Sequence, residues 1–509
     1  MANPNSLPKY PESYWLTSAQ TAETKELEGK EYDTVIIGAG ITGITLAYIL
    51  AKKGLDVALL DAGEIYHGTT GHTTAKVTAQ HGLIYDQLIT ELGYETAKLY
   101  YEANSQAMDF IAQSIDDLKI DCDFSRQDAY VYTNSEAYLE KLGKEEKAYK
   151  ELGIKGELTE QMPLSLPMKL ALKMDGQAQF HPVKYLNAFV KALKQAGADI
   201  FEHAPAVDIQ TAPSPAVILR DKQAIRGKKI VMATHFPFYD LKGVYFSRMH
   251  PERSYVLAAS VKEEYPGGMY LSAESPTRSI RSQTTEEGET LLLIGGGEHQ
   301  TGQGPDTYKY YEDLKQFGQE HFQVKDFPYR WSAQDLITLD KVPYIGRLTE
   351  NEPNLFVATG YAKWGMTNGT AAALLLSDLI MDKENRFEEL YTPSRFNPNP
   401  SIKEFIKENA DVAKHFIKGK LGPITANIEE LGPDESAVVL VKGKRAGCYK
   451  DQSGTLHVVD TTCTHMGCET DWNNAERTWD CPCHGSRFSY DGEVVEGPAT
   501  EPLKKVDLE

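Results

Sequence analysis

Apolar residues run almost unbroken through Tyr32–Ile37 and again through Val57–Leu60, as in strands buried on both faces. Between the two runs the pattern changes to Gly38-Ala39-Gly40-Ile41-Thr42-Gly43 and then to an apolar helix ending near Lys53. Thr290–Gly297 predicts a further buried strand that ends in three glycines, and Gly365-Met366-Thr367 opens a second apolar helix. The longest apolar stretch, Ala371–Met381, is broken by Ser377 and Asp378 and is too short to cross a bilayer. Prolines 393, 398 and 400 then interrupt the chain. Over residues 402–418 the 3.6-residue period returns. Ile402, Phe405, Ile406, Ala413, Phe416 and Ile417 share one face, with Lys403, Lys407, Lys414 and Lys418 opposite, so the apolar face is expected to pack on a neighbouring domain. Short strands are predicted at Val438–Val441, Gly447–Tyr449 and Leu456–Val459. No internal repeat or low-complexity tract is present. These patterns divide the chain into an N-terminal arm (1–30), a large α/β segment (31–396), a linker helix (397–423) and a C-terminal β-domain (424–509).

The first glycine run sits in strand, turn, helix, strand and acid, which is the setting a dinucleotide needs. Gly38, Gly40 and Gly43 let the backbone N–H groups of Ile41 and Thr42 and the helix N-terminus approach a pyrophosphate. Asp61, closing the second strand, can accept hydrogen bonds from a ribose and disfavours a 2′-phosphate, which argues against NADP. FAD and NAD remain open on this fingerprint alone. Gly295-x-Gly297 lacks a third glycine and a following helix, so no second nucleotide site is expected and electrons should enter from an organic substrate.

Near the C-terminus stand Cys463-x-His465 and Cys481-x-x-His484. Two Cys-His pairs at this spacing suit a [2Fe–2S] cluster of the Rieske type, with two thiolates on one iron and two imidazoles on the other. Neutral imidazoles remove negative charge and place the potential between about −150 and +300 mV. Tetrahedral zinc is the competing reading of the same donors, and Gly467, Pro482 and Gly485 around them weigh against it.

Charge narrows the partners. A net charge of −20 argues against nucleic acid. Between Glu429 and Glu509 sixteen acidic residues face eight basic ones, a net −8 that would favour a basic redox partner. Residues 1–20 are polar with no apolar core, so a secretory signal is not expected, nor is membrane contact. Of the six cysteines, Cys122 and Cys448 lie outside the two loops, which fits a cytoplasmic location.

The sequences Cys463-Thr-His-Met-Gly-Cys468 and Cys481-Pro-Cys-His-Gly-Ser486 closely resemble the Rieske proteins of respiratory and photosynthetic cytochrome complexes. That resemblance implies Cys463, His465, Cys481 and His484 as ligands, a Cys468–Cys483 disulfide, and a hydrogen bond from Ser486 toward a cluster sulfur. Phe488 stands where those relatives carry tyrosine, so one donor is missing and a potential below the top of the range is expected.

Residues 31–396 resemble the glycine oxidase and D-amino acid oxidase family of flavoproteins. The matching pieces are Gly68–Thr74, Phe180–Leu186 with Gly197-Ala198, Ile230–Thr234, Trp331, Asp340, Pro343–Gly346, Leu355–Tyr361 and Gly365–Thr367. The resemblance implies FAD, held by Thr69, Thr70, His72, Val207, Ala233, Gly360, Gly365, Met366 and Thr367 besides the fingerprint. It also implies an inserted α+β substrate domain, largely within 85–180 and 236–335, roofing the flavin. In dimethylglycine- and sarcosine-dehydrogenase relatives a histidine in a stretch similar to that of His72 carries the flavin covalently, and attachment and simple lining both stay open here. The family commonly grips a substrate carboxylate with an arginine four residues after the tryptophan, where this chain has Asp335. Simple α-amino acids are therefore expected to be poor substrates and a cationic amine a better one. Lys363, His299 and Arg281 complete the candidate catalytic set, with Arg278 and Arg281 facing one way if Thr277–Gln283 is a bulged strand.

Together these readings imply an FAD-dependent dehydrogenase that oxidises a small amine-like or amino-acid-like substrate. It would pass electrons one at a time through a Rieske cluster to an external one-electron carrier. Inward flow from cluster to flavin, or a redox-responsive module without turnover, are the alternatives. A Rieske oxygenase is not supported, since no Asp/Glu-x-x-His-x3–4-His run is found.

Overall fold

The computed structural model describes residues 6–19, 30–240, 243–304, 306–395, 405, 407–416, 428–441 and 443–507. The first nucleotide strand, Glu31–Ile37, pairs in parallel with Val57–Leu60 and with Ala224–Met232. Asp199–Phe201 and Leu355–Thr359 extend the sheet in parallel on either side, and Tyr344–Arg347 adds an antiparallel edge. Helices Ile41–Lys52, Pro182–Gln195 and Gly365–Ile380 pack together over the sheet. Val35, Ile36, Leu59 and Leu60 are all fully buried, as their unbroken hydrophobicity requires. At Gly43 an added Cβ would sit 1.9 Å from the Gly38 carbonyl oxygen. Only glycine lets the helix start this close to the strand end.

A nine-stranded sheet lies beside it. Its long strands are Met249–Val261, Thr290–Gln300 and Val324–Thr338. Arg278–Thr284, Met269–Ser272, Ser125–Thr133, Leu170–Gln179 and Lys76–Val77 continue it in that order. One register row crosses six strands: Trp331, Val256, Gly295, Ser279, Leu271 and Val131 are successive partners. The C-terminal part holds a three-stranded and a four-stranded antiparallel sheet. Its first three strands are Glu435–Val441, Lys444–Lys450 and Leu456–Asp460, each longer than its predicted counterpart.

Two segments differ from expectation. The polar start of the chain contains a short helix, Tyr14–Thr17, whose Trp15 is fully buried and donates its indole N–H to the Thr73 carbonyl at 2.7 Å. In the linker, residues 405 and 407–416 are helical, while Ile402, Lys403, Ile406, Ile417 and Lys418 lie outside the described residues. The helix turns its polar side inward. Glu408 is buried and accepts from Gln300 at 2.9 Å, Asp411 accepts from Gln303 at 2.9 Å, and Asn409 donates to the Ser247 carbonyl. Phe405 and Phe416 are 42% and 37% exposed, so the apolar face expected to pack is turned outward. Amide and carboxylate pairing at the domain surface decides the helix's orientation here, and hydrophobic periodicity does not. Among the described residues no helix is long and apolar enough to cross a membrane.

Candidate functional site

A single cavity of about 1260 Å³ runs from the nucleotide turn to the roof sheet. This exceeds an ordinary small-ligand pocket and has room for a dinucleotide together with a substrate. Gly38, Gly40, Ile41, Thr42, Asp61, Thr69, Thr70, His72, Ala233, Gly365 and Met366 all line it. The Asp61 carboxylate accepts the N–H groups of Ala39 at 2.8 Å and Gly63 at 3.0 Å, which fixes it at the strand end. Thr70 accepts the Ile41 N–H at 2.9 Å and so joins the Thr69–His72 turn to the helix N-terminus. His72 bonds the Gly68 carbonyl at 2.9 Å, and burial lowers its pKa. Gly43, Val207, Gly360 and Thr367 stand just behind the wall. Val207 is half-buried beside the lining residues Pro205 and Ala206, and Thr367 donates to the Thr78 carbonyl at 3.0 Å.

The roof of the cavity is the register row itself, since all six of its members line the space. At one end of this roof an acidic group forms around Lys363, whose ammonium lies 2.9 Å from Glu298 and 3.3 Å from Glu252. Burial disfavours the charge on Lys363, yet Glu298, Glu252 and Asp335 hold its pKa above the usual lysine value. Glu252 and Asp335 are direct partners on adjacent strands. Burial lifts the Asp335 carboxyl to about 7, Lys363 pulls it down, and Glu252 adds to the rise.

Arg281 and His299 do not reach the cavity. Arg281 is buried and donates to the carbonyls of Thr74, Ala75 and Phe180, bracing the turn behind the nucleotide site. The strand Arg278–Thr284 pairs without a bulge, so Arg278 and Arg281 point to opposite faces. Arg278 packs over Phe317, and Arg281 over Trp15. His299 stacks on Tyr310 at 4.7 Å and bonds the Tyr255 hydroxyl at 2.9 Å, outside the lining.

Sequence reasoning missed His81 and Lys76, both in the cavity wall. His81 stacks on Trp364 at 4.7 Å, and burial drives its pKa to about 3, so the ring is neutral. Lys76 donates to the Tyr270 carbonyl and the Ser279 hydroxyl. Nothing in the local sequence marks either residue, because distant strands supply their partners.

In the C-terminal domain two loops close in the same way. Gly467 N–H donates to the Cys463 carbonyl and Gly485 N–H to the Cys481 carbonyl, both at 3.0 Å. Both glycines have positive φ, +76° and +79°, which a side chain would strain. Cys468 and Cys483 form a disulfide that ties the loops together. The sulfurs of Cys468, Cys481 and Cys483 lie within 4.8 Å of one another, but two are committed to that bond. The thiols left free in the two loops are Cys463 and Cys481, both buried and hydrogen-bonded to each other. Opposite them, the rings of His465 and His484 stand 5.1 Å apart. Each has a buried Nδ1 with no hydrogen-bond partner, and burial lowers both pKa values to about 4. Two free thiols and two neutral imidazoles with unpaired nitrogens, carried on two disulfide-linked loops, fit a [2Fe–2S] cluster. Ser486 bonds the Cys463 sulfur and accepts the Ala499 N–H at 3.0 Å, and Phe488 is fully buried.

These loops pack directly on the roof strands. Gln334 donates to the Gly485 carbonyl at 3.1 Å, and the Gln334 carbonyl accepts from Thr69 at 3.4 Å. Phe246 stands edge-on to the imidazoles of His484 and His465, at 5.4 and 6.1 Å. Buried Arg253 pairs with Glu496 at 3.0 Å, and Arg487 holds the same carboxylate at 3.3 Å. Burial works against the charge on Glu496, but Arg487 and Arg253 bring its pKa to about 2.

A family model for FAD dependent oxidoreductases matches residues 33–379. The chain belongs to this family. Residues 423–507 match the Rieske [2Fe-2S] domain, so this FAD dependent oxidoreductase binds FAD and carries a Rieske cluster in its C-terminal domain. It is 50% identical to the putative Rieske 2Fe-2S iron-sulfur protein YhfW of Bacillus subtilis, over the whole of both chains. It is also 24% identical to gamma-glutamylputrescine oxidoreductase of Escherichia coli, across 70% of this chain and 85% of that one. The solved glycine oxidase of Geobacillus kaustophilus superposes with a TM-score of 0.61 at 18% identity, over 72% of this chain and 99% of its own.

Proposed function

We propose that the protein is a dehydrogenase that oxidises the CH–NH group of a small, cationic amine and passes the electrons singly through its Rieske domain to an external carrier. Bound FAD supplies a two-electron acceptor and the cluster a one-electron relay. The observation that carries the reading is the shared wall. The strand Val324–Thr338 presents Asp335 to the cavity, while its neighbour Gln334 bonds the loop that holds His484.

The acidic group suits an amine. Glu252, Glu298 and Asp335 bring three carboxyls against one lysine, so a substrate ammonium finds unneutralised negative charge. A substrate carboxylate would meet repulsion there, which is why Asp335 in place of a gripping arginine matters. Asp335, lifted to about 7, is also placed to accept the amine proton near neutral pH. The relative named as a gamma-glutamylputrescine oxidoreductase supports an amine substrate class. Oxidising one C–N bond releases two electrons, so the relay must act twice per substrate. Gln334 and Phe246 hold the histidine side of the relay against the flavin domain.

Anaerobic stopped-flow mixing with a panel of amines and amino acids tests this. Flavin absorbance should bleach first and the cluster spectrum second. The opposite order would establish inward flow, and no response to any donor would indicate a module without turnover.

A further inference from the structure

Lys76, a cation in the cavity wall, is left without a role by this reading. Lys76 opens the strand Lys76–Val77 at the edge of the roof sheet. Its ammonium donates to the Tyr270 carbonyl at 2.8 Å and to the Ser279 hydroxyl at 2.7 Å. Two of its three N–H groups are thus engaged and one remains for a ligand. The residue is half-buried and lines the cavity. Lys363 sits among three carboxyls, whereas among the described residues the charged neighbour acting on Lys76 is another cation, Arg281. Burial and that guanidinium draw its pKa down to about 7. A buried ammonium without a counter-ion is costly, and an entering anion would relieve that cost.

The register fixes where this cation stands. Ser279 is the direct partner of Gly295, and Glu298 lies three residues further along the Gly295 strand. At ordinary strand rise and spacing, the backbones of Ser279 and Glu298 are roughly 11 Å apart across the roof. The cavity therefore has an acidic end and a separate basic end.

We propose that Lys76 and Ser279 form an anion subsite for a carboxylate on the substrate, which selects an extended zwitterion whose carboxylate is separated from its amine by several bonds, as in an ω-amino acid. The orientation of that substrate rests on the amine reading above; the anion subsite does not. Oxidation would occur at the amine end, and the carboxylate would act only as a handle.

Glutarate, a carboxylate probe without an amine, tests the subsite on the full-length protein carrying both cofactors. Its binding is followed by calorimetry and by perturbation of the flavin spectrum. The wild-type protein should bind it, Lys76→Met should weaken binding at least tenfold, and Lys76→Arg should retain part of the affinity. Ser279→Ala, which removes only a hydroxyl, should weaken binding in the same direction and covers the case in which Lys76→Met fails to fold. In flavin reduction, Lys76→Met should lose at least ten times more kcat/KM with 6-aminohexanoate than with 1,4-diaminobutane, mainly through KM. Absence of glutarate binding to the wild-type protein, or equal binding to Lys76→Met or Ser279→Ala, would overturn the proposal. Should neither amine reduce the flavin while glutarate binding still depends on Lys76, the amine reading falls and the anion subsite stands.

Discussion

Asp335 is where substrate preference and pH meet. Its carboxyl is raised to about 7 by burial, with Lys363 opposing and Glu252 adding to the rise. Below that pH the group is neutral and offers an ammonium little; above it the group is an anion in the cavity wall. The affinity for a cationic amine should therefore increase as pH rises through about 7, with the Michaelis constant falling by roughly tenfold or more, the worth of a charge-assisted hydrogen bond. Asp335→Asn should flatten that profile and hold the constant at its low-pH value. Steady-state kinetics from pH 5.5 to 8.5 on both proteins checks this, and a variant that keeps the wild-type slope would place the titrating group elsewhere. Arg281 shows the opposite case. Its charge drew attention in the sequence, yet four backbone carbonyls claim it and it braces the Thr74–Ala75 turn.

At the scale of elements, the legible parts were those with local logic. Strand, glycine turn, helix and acid stand together in the sequence and in space, because residues 32–61 close their own hydrogen bonds. The two cluster loops are equally local, each folding back on its own cysteine carbonyl. What stayed hidden depends on distant partners. The Tyr14–Thr17 helix reads as a polar arm, but Trp15 is anchored by Thr73. The linker helix shows an apolar stripe, yet Gln300 and Gln303 turn its acidic side inward. Lys76 and His81 gain their meaning only from strands and loops that come together in the fold. Arg330 shows how much these long-range contacts hold in place. Fully buried, it donates to the carbonyls of Pro8 and Lys9 in the N-terminal segment and of Ala475 in the C-terminal domain. Arg330→Met would remove donors from both segments and leave the buried Ala475 carbonyl and the nearby Glu476 carboxylate without their cation, so a loss of about 3 kcal/mol is expected. Denaturant unfolding followed by flavin fluorescence and by cluster absorbance should show both transitions moving to lower denaturant. If only one moves, Arg330 does not couple the segments.

At the scale of the whole molecule, the two electron transfers of the proposed relay differ in their setting. The inner contact is buried: Gln334 bonds Gly485, Phe246 covers the histidine rings, and Glu496 is clamped between Arg253 and Arg487. Salt screens exposed charges over about 10 Å at 0.1 M but reaches buried pairs poorly. In the proposed relay the outer contact, with a carrier in solution, would fall to a segment of net charge −8 between Glu429 and Glu509. Reoxidation of the reduced protein by a small basic electron acceptor should therefore be fast at low ionic strength and slow steeply as salt is added. Cluster reduction by the flavin within the molecule should change little over the same range. Glu496→Gln separates the two. Its folded pKa of about 2 lies below the unfolded value, so the clamp is at full strength above the ordinary carboxylate range and weakens only as pH falls toward 2. At pH 7 the substitution removes the clamp's charge and leaves Arg253 and Arg487 facing each other, a buried-pair loss of about 3–5 kcal/mol. The variant should slow the inner transfer and make it salt-sensitive, while transfer to the external acceptor keeps its wild-type salt dependence. An inner rate in Glu496→Gln that equals the wild-type rate at every salt concentration would mean that the Arg253–Glu496–Arg487 clamp does not set the approach of cluster to flavin.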